Sequence, residues 1–320
     1  MLFMKKIVSL NLSLVLLLLC GCASTQENKD TRFLLDTVVS LTAACDSETL
    51  DGAFALCESY EKLLSRTVEG SDVYALNNSS GFVEVSDDTL EIVQKSLYYA
   101  DISNGKFDIT IYSVSSLWDF NSEIIPSRDE IAEALKNVDY NSIETDGNKI
   151  NLNGKQIDLG GIAKGYIADR ILEYFKENKV SEGIIDLGGN LVVFGDRDYT
   201  VGIKQPFSDE LASTLKVRNK TVVTSGTYER YIEKDGIRYH HILDTKTGYA
   251  VDTDLTSATI IGDSSMNADA LSTICILLGL DNAKELIENT DGAEAVFIDT
   301  DGKMHYTSGL SLKGDTFTLK

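Results

Sequence analysis

The chain has 320 residues, with 50 Asp and Glu against 29 Lys and Arg, a formal net charge of −21. That balance argues against a nucleic-acid binder and against electrostatic docking on anionic lipid, both of which rely on basic patches. It also sets a condition on any phosphorylated ligand: the site must bring a cation, main-chain amides, or both.

Lys5 and Lys6 precede an apolar run from Ile7 to Leu19, short for a mature transmembrane helix. The run ends in Leu19-Cys20-Gly21-Cys22, the pattern of a bacterial lipobox with Cys22 as the lipidated residue. Cys20 fits less well, because Leu19 would then occupy the small-residue position. The competing reading is an ordinary cleaved secretory signal. Residues 1–21 are therefore expected to be a lipoprotein signal peptide and 22–31, small, polar and charged, a flexible tether. At about 0.8 kcal/mol per buried methylene, acyl chains on Cys22 would anchor the protein firmly. The expected location is extracytoplasmic, on the bacterial cell membrane. Of five cysteines, Cys45, Cys57 and Cys275 lie beyond this segment without metal-ligand spacing. They read as buried thiols, with one disulfide left open.

Residues 33–43 alternate like a strand, while 47–65 and 87–101 carry apolar residues at helical spacing. Ser127 followed by Glu130 is a capping box opening a helix to about Lys136. Asp146-Gly147, Asp235-Gly236 and Asp301-Gly302 read as hairpin turns. An amphipathic helix is expected over 162–177, strands through much of 182–262, and helices over 266–279 and 281–289. Strands and helices come in runs, not in strict alternation, which favours an α+β fold with mainly antiparallel sheets and packed helices.

Three constellations carry chemistry. Ile157-Asp158-Leu159-Gly160-Gly161 recurs as Ile185-Asp186-Leu187-Gly188-Gly189. The first copy opens a helix, and glycines before a helix expose amides that suit a phosphate; the alternative is a plain tight turn. Asp269 and Thr273 are i and i+4, so their oxygens share a helix face and suit magnesium. Alternatively Asp269 favours the helix dipole and Thr273 bonds back to the helix. His240 and His241 are adjacent; in a strand they face opposite sides, so one serves as a candidate base and the other packs or faces solvent.

Five segments occur in order: Asp158-Leu-Gly-Gly-Ile-Ala-Lys-Gly-Tyr166, Asp186-Leu-Gly-Gly-Asn190, Val223-Thr-Ser-Gly-Thr-Tyr-Glu-Arg230, His241-Ile-Leu-Asp244 with Thr247-Gly248, and Ala268-Asp-Ala-Leu-Ser-Thr273. Together they resemble the FAD:protein FMN transferase family, the ApbE-type flavin transferases also known as thiamine-biosynthesis lipoproteins. Weaker matches at Leu64-Ser65 through Leu76-Asn77 and at Asn104 to Thr110 extend the resemblance over nearly the whole mature chain. It implies a T-fold-related flavin transferase domain over 32–320. It implies FAD as substrate and Mg2+ on its pyrophosphate, held by the carbonyl of Ala163 and the side chains of Asp269 and Thr273. FAD contacts would fall at Leu35, Lys106, Phe107, Asp108, Gly160, Tyr166 and Leu243, with His241 and Asp244 at the reacting bond. The implied reaction moves FMN onto a threonine hydroxyl of an acceptor protein in a membrane or extracytoplasmic redox system and releases AMP.

Thr245 stands where the family usually has proline after Asp244. Leu35-Asp36 replaces a commoner Met-Gly pair, and Thr67 replaces an aromatic that packs on the flavin. A looser cleft leaves two alternatives: an FAD pyrophosphatase giving FMN and AMP, and a non-catalytic flavin-binding lipoprotein.

Overall fold

The computed structural model describes residues 27–320; the signal segment and Cys22 lie outside the described residues. One eight-stranded sheet organises the molecule. Its strands are β1 (Glu27–Leu34), β2 (Thr37–Ala44), β3 (Gly183–Leu187), β4 (Asn190–Phe194), β5 (Lys220–Gly226), β6 (Leu255–Gly262), β7 (Glu294–Asp299) and β8 (Met304–Tyr306). They lie side by side in chain order, every neighbouring pair antiparallel, and the sheet does not close.

The sheet is covered on both faces because its central strands are apolar on both. β6, Leu-Thr-Ser-Ala-Thr-Ile-Ile-Gly, is buried along its whole length. On one face Val223, Ile260 and Phe297 pack beneath α4 (Ser265–Leu278). Further along that face, Leu41, Ile185 and Val192 meet α1 (Ser47–Leu63) and α3 (Ala163–Glu177). On the opposite face Val193, Val222, Ile261 and Val296 pack on Leu215 and Phe317 of a small four-stranded sheet. At about 1.5–3 kcal/mol per fully buried side chain, these two interfaces dominate the stabilisation. α2 (Asp87–Ile102) and α5 (Leu280–Glu288) complete the helical layer. The α+β architecture is the expected one; the parallel pairing lies in the small sheet, between Thr316–Leu319 and Leu211–Val217.

The Asp146, Asp235 and Asp301 turns all join antiparallel strands, and the capping box at Ser127 and Glu130 forms. Its helix is shorter than expected, Arg128–Ala134, and ends in a 3-10 turn. Two expectations need correction. The strand over 33–43 is two strands folded back on each other, with Leu35 (φ 56) and Asp36 (φ 55) forming the turn. Without glycine or asparagine the turn left no signal in the sequence; each left-handed residue costs on the order of 1 kcal/mol or more, offset here by pairing on either side and by Leu35 N–H donating to Glu61 at 2.7 Å. The tether expected to reach residue 31 gives way to β1 from Glu27 onward, because Glu27 to Thr31 pair with Ala44 to Ser40. Cys45, Cys57 and Cys275 are free and buried, and burial pushes the Cys57 thiol up to about 12.

Candidate active site

Two helices start against each other, α4 beside the first residues of β5. α4 begins at Ser264, whose side chain accepts from Asn267 N–H, and its first amides are taken by Asp169 of α3: Ser265 N–H at 2.8 Å and Met266 N–H at 3.0 Å. The positive end of α4 is thereby neutralised. α3 has no side-chain cap of its own. Instead Gly165 N–H, on its first turn, donates to the Asp269 carboxylate at 2.8 Å. Gly165 must be glycine because a methyl there would drive into the Ser265 carbonyl. Ala163, the first residue of α3, sits two positions before that bond. One turn beyond Asp269, Thr273 Oγ1 lies 3.3 Å from Ser225 Oγ, which is 2.7 Å from Ser272 Oγ.

Asp269 is 4% exposed, and desolvation raises its pKa, opposed by Lys164, the Gly165 amide and Asn190. The donors gathered here are a carboxylate and neutral oxygens. Among the described residues, no three His, Cys, Asp or Glu side chains form a metal cage. One carboxylate with neutral oxygens fits a hard divalent cation whose shell is finished by phosphate oxygens. The donor set therefore suits magnesium travelling with a pyrophosphate.

Lys164 had no assigned role in the sequence. In the structure its charge acts on Asp269, Asp186, Glu229 and His241, which places it at the centre of the cluster. The usable signal was its position: a cation one residue into a helix that follows a glycine pair.

His240 and His241 bond different carbonyls. His240 ends the strand Ile237–His240, is buried, and its Nε2 donates to the Val251 carbonyl at 3.2 Å. His241 follows the strand. Both its backbone N–H and its Nδ1 meet the Arg230 carbonyl, at 3.0 and 3.2 Å. A carbonyl only accepts, so Nδ1 carries the proton and Nε2 is left with its lone pair. His241 is half-buried and Glu229 is at the surface, with protein packed around both. That enclosure lowers His241 to about 4, so the imidazole is neutral at pH 7.

The other expected contacts fall into two groups. Ahead of α3, Asp158 Oδ1 accepts Gly160 N–H at 2.6 Å, and a methyl on Gly161 would stand 3.1 Å from the Phe107 ring. Thr245 Oγ1 donates to Gly105 O at 2.7 Å, tying the 241–248 loop to the 104–108 loop. The hairpin tip joins through Arg230 Nη2, 3.5 Å from Asp36 O beside Leu35.

In the second group the side chains have partners within the protein. Lys106 Nζ bonds the Leu277 carbonyl at 2.9 Å, at the far end of α4. Asp108 is buried, accepting from Thr110 N–H (2.8 Å), Thr110 Oγ1 (2.7 Å) and Tyr140 N–H (3.1 Å). Tyr166 is 1% exposed, with its hydroxyl donating to Asp88. Leu243 packs in a cluster with Trp118 and Ile131. Asp244 Oδ1 accepts Lys246 and Thr247 N–H at 2.8 and 2.9 Å and so shapes its own loop.

The model of the ApbE family matches residues 35–297. A Treponema pallidum (strain Nichols) protein named FAD:protein FMN transferase is 32% identical over 288 residues, covering 82% of this chain and 80% of its own length. A Klebsiella pneumoniae (strain 342) protein of the same name is 33% identical over 263 residues, covering 79% and 83%. The crystal structure of the ApbE protein of Thermotoga maritima superposes with a TM-score of 0.82 at 31% identity, covering 88% of this chain and 97% of that one. With the family model matched over most of the sheet and both helix starts, and with relatives of this similarity, the chain belongs to the ApbE family.

Proposed function

We propose that this protein transfers FMN from FAD to a threonine hydroxyl of an acceptor protein, with magnesium, releasing AMP. The observation that carries the reading is the buried Asp269 carboxylate, bonded to the uncapped start of α3, with Lys164 acting on both it and a neutral histidine of fixed tautomer. The names of the relatives, FAD:protein FMN transferase, support the same chemistry.

The acceptor hydroxyl oxygen attacks the FMN phosphorus, a new phosphoester bond forms, and the bond to AMP breaks. His241 Nε2 takes the hydroxyl proton while Nδ1–H stays on Arg230 O. Its low pKa in the free protein makes it a weak base; a pyrophosphate beside it would raise that pKa towards neutrality, as an opposite charge favours imidazolium. The start of α3 and Lys164 offer amides and positive charge to phosphate oxygens. Ala163, Asp269 and Thr273 would hold magnesium, which supplies charge neutralisation on the pyrophosphate. Phe107 and the Gly160-Gly161 backbone shape the cleft beside it.

The same reading extends to location. Cys22 would carry the lipid and hold the domain outside the cytoplasm on the membrane, facing an acceptor of a redox system there. The reading is supported by the sequence pattern alone, and globomycin-sensitive processing of the full chain with mass spectrometry of Cys22 tests it.

Incubating the protein with FAD, Mg2+ and an acceptor domain, then weighing the acceptor, tests the transfer. An added FMN mass on threonine, absent without Mg2+, is expected. Steady AMP release that the acceptor does not increase, with no flavin on the acceptor, would make the protein an FAD pyrophosphatase; neither product would leave a binder.

A further inference from the structure

The second Asp-Leu-Gly-Gly copy does not open a helix. Gly188 (φ 66) and Gly189 (φ 91) turn the chain between β3 and β4, and the first residue after the turn is Asn190. Asn190 is fully buried. Its Oδ1 accepts from Ser265 Oγ, and Thr221 Oγ1 lies 3.0 Å from the same Ser265 oxygen. Ser265 donates its one proton to Asn190, and the single Thr221 proton is shared between two acceptors at 3.0 Å, Ser265 Oγ and the Leu191 carbonyl. The amide is thus anchored through two hydroxyls to β5.

Ser265 and Asp269 are i and i+4 on α4, so a group bonded to the first stands beside the second. The Asn190 Nδ2 is buried with no hydrogen-bond partner, and through Ser265 the amide is held one helical turn from Asp269. A flipped amide would turn a carbonyl towards a carboxylate, so repulsion fixes the orientation with N–H towards Asp269. A buried donor without a bond costs roughly 1–3 kcal/mol, and such a cost persists where the group is used.

We infer that Asn190 is a positioning residue for Asp269: its N–H is held beside the carboxylate, with Gly165 N–H on Oδ2, to fix the face presented to a divalent cation. The inference rests on the magnesium reading above. It assigns the two copies complementary roles, the first leading into the α3 amides, the second planting the amide that orients the ligand.

Mn2+ alone is the probe, its binding read by electron paramagnetic resonance on the full chain without FAD, beside a thermal melt. Asn190→Ala is expected to weaken Mn2+ binding about 10–100-fold, the usual loss on removing a group that orients a metal ligand. Ser265→Ala, which removes the anchor and keeps the amide, is expected to weaken it several-fold. A merely structural residue would lower the melting temperature and leave the affinity of the folded protein unchanged. Unchanged Mn2+ affinity in both variants, while Asp269→Ala loses it, overturns the role of Asn190 and leaves the cation site standing. Should Asn190→Ala not fold, Ser265→Ala decides in the same two directions. Failure of the wild type to bind Mn2+, or equal binding by Asp269→Ala, overturns the cation site and this inference with it.

Discussion

Residues 157–161 and 185–189 spell the same five amino acids and fold differently beyond a shared first step. In both, the aspartate accepts the N–H two residues on: Asp158 from Gly160 at 2.6 Å, Asp186 from Gly188 at 3.1 Å. In the first, neither glycine is left-handed, and α3 follows. In the second, both glycines are left-handed and a strand follows. The five letters encode the aspartate bond; the partner that the next segment finds decides the rest. Ile162 to Tyr166 find α4, whereas Asn190 to Phe194 find β3 and β5.

Both copies converge on Asp269, so its loss should have the largest effect. Asp269→Ala is expected to bring FMN transfer to background in a protein that still folds, the orphaned Gly165 N–H costing about 1–3 kcal/mol against the relief of a buried carboxylate with raised pKa. Retained magnesium-dependent turnover would remove Asp269 from the site and leave the two copies nothing in common.

His241 belongs to neither copy and tests whether the chemistry lies outside them. His241→Ala should slow transfer by about 10² to 10⁴-fold with FAD affinity retained. His240→Ala should slow it less than tenfold and cost about 1 kcal/mol of stability through the lost bond to Val251. Equal rate losses would end the assignment of the base.

The glycines separate the copies most directly. At Gly188 a methyl would meet the Thr37 side chain in a left-handed backbone, so Gly188→Ala should cost about 2–4 kcal/mol in denaturant melts. At Gly161 the backbone is ordinary and the nearest obstacle is the Phe107 ring at 3.1 Å. Gly161→Ala should cost under about 1 kcal/mol, and Gly161→Val should weaken FAD binding more than it lowers the melt. Reversed effects would exchange the roles given to the two turns.

The smallest effect is on pH dependence. His241 is neutral in the fold down to about pH 4, whereas unfolded histidine binds its proton near 6.5. Between those values the unfolded chain holds more protons, so this residue's contribution is full above pH 6.5 and is lost as pH falls towards 4. Comparing melts of wild type and His241→Asn should show the wild type losing more stability over that window. Parallel curves would mean that His241 is not enclosed.

Local signals were legible wherever one short segment sufficed. The Asp-Gly turns, the capping box at Ser127 and the helices over α1 to α5 follow from rules of a few residues. The Leu35-Asp36 turn was not legible, because its left-handed residues are held by pairing with strands outside it. Nor were the fates of Lys106, Asp108 and Tyr166, whose partners, Leu277, Tyr140 and Asp88, lie 171, 32 and 78 positions away.

Sequence by itself determined the chemistry on offer: an acidic chain, glycine pairs before a helix, one carboxylate and one hydroxyl a helical turn apart, and a candidate base. Periodicity and turn residues act over a handful of positions, so these were already fixed before folding. Tertiary structure alone decided which groups meet. Gly165 reaches Asp269 across 104 positions and Ser265 reaches Asn190 across 75. Lys164 becomes central only when α3 starts against α4. Burial then sets the charge states, because desolvation depends on what surrounds a group in space: it raises Asp269 and lowers His241.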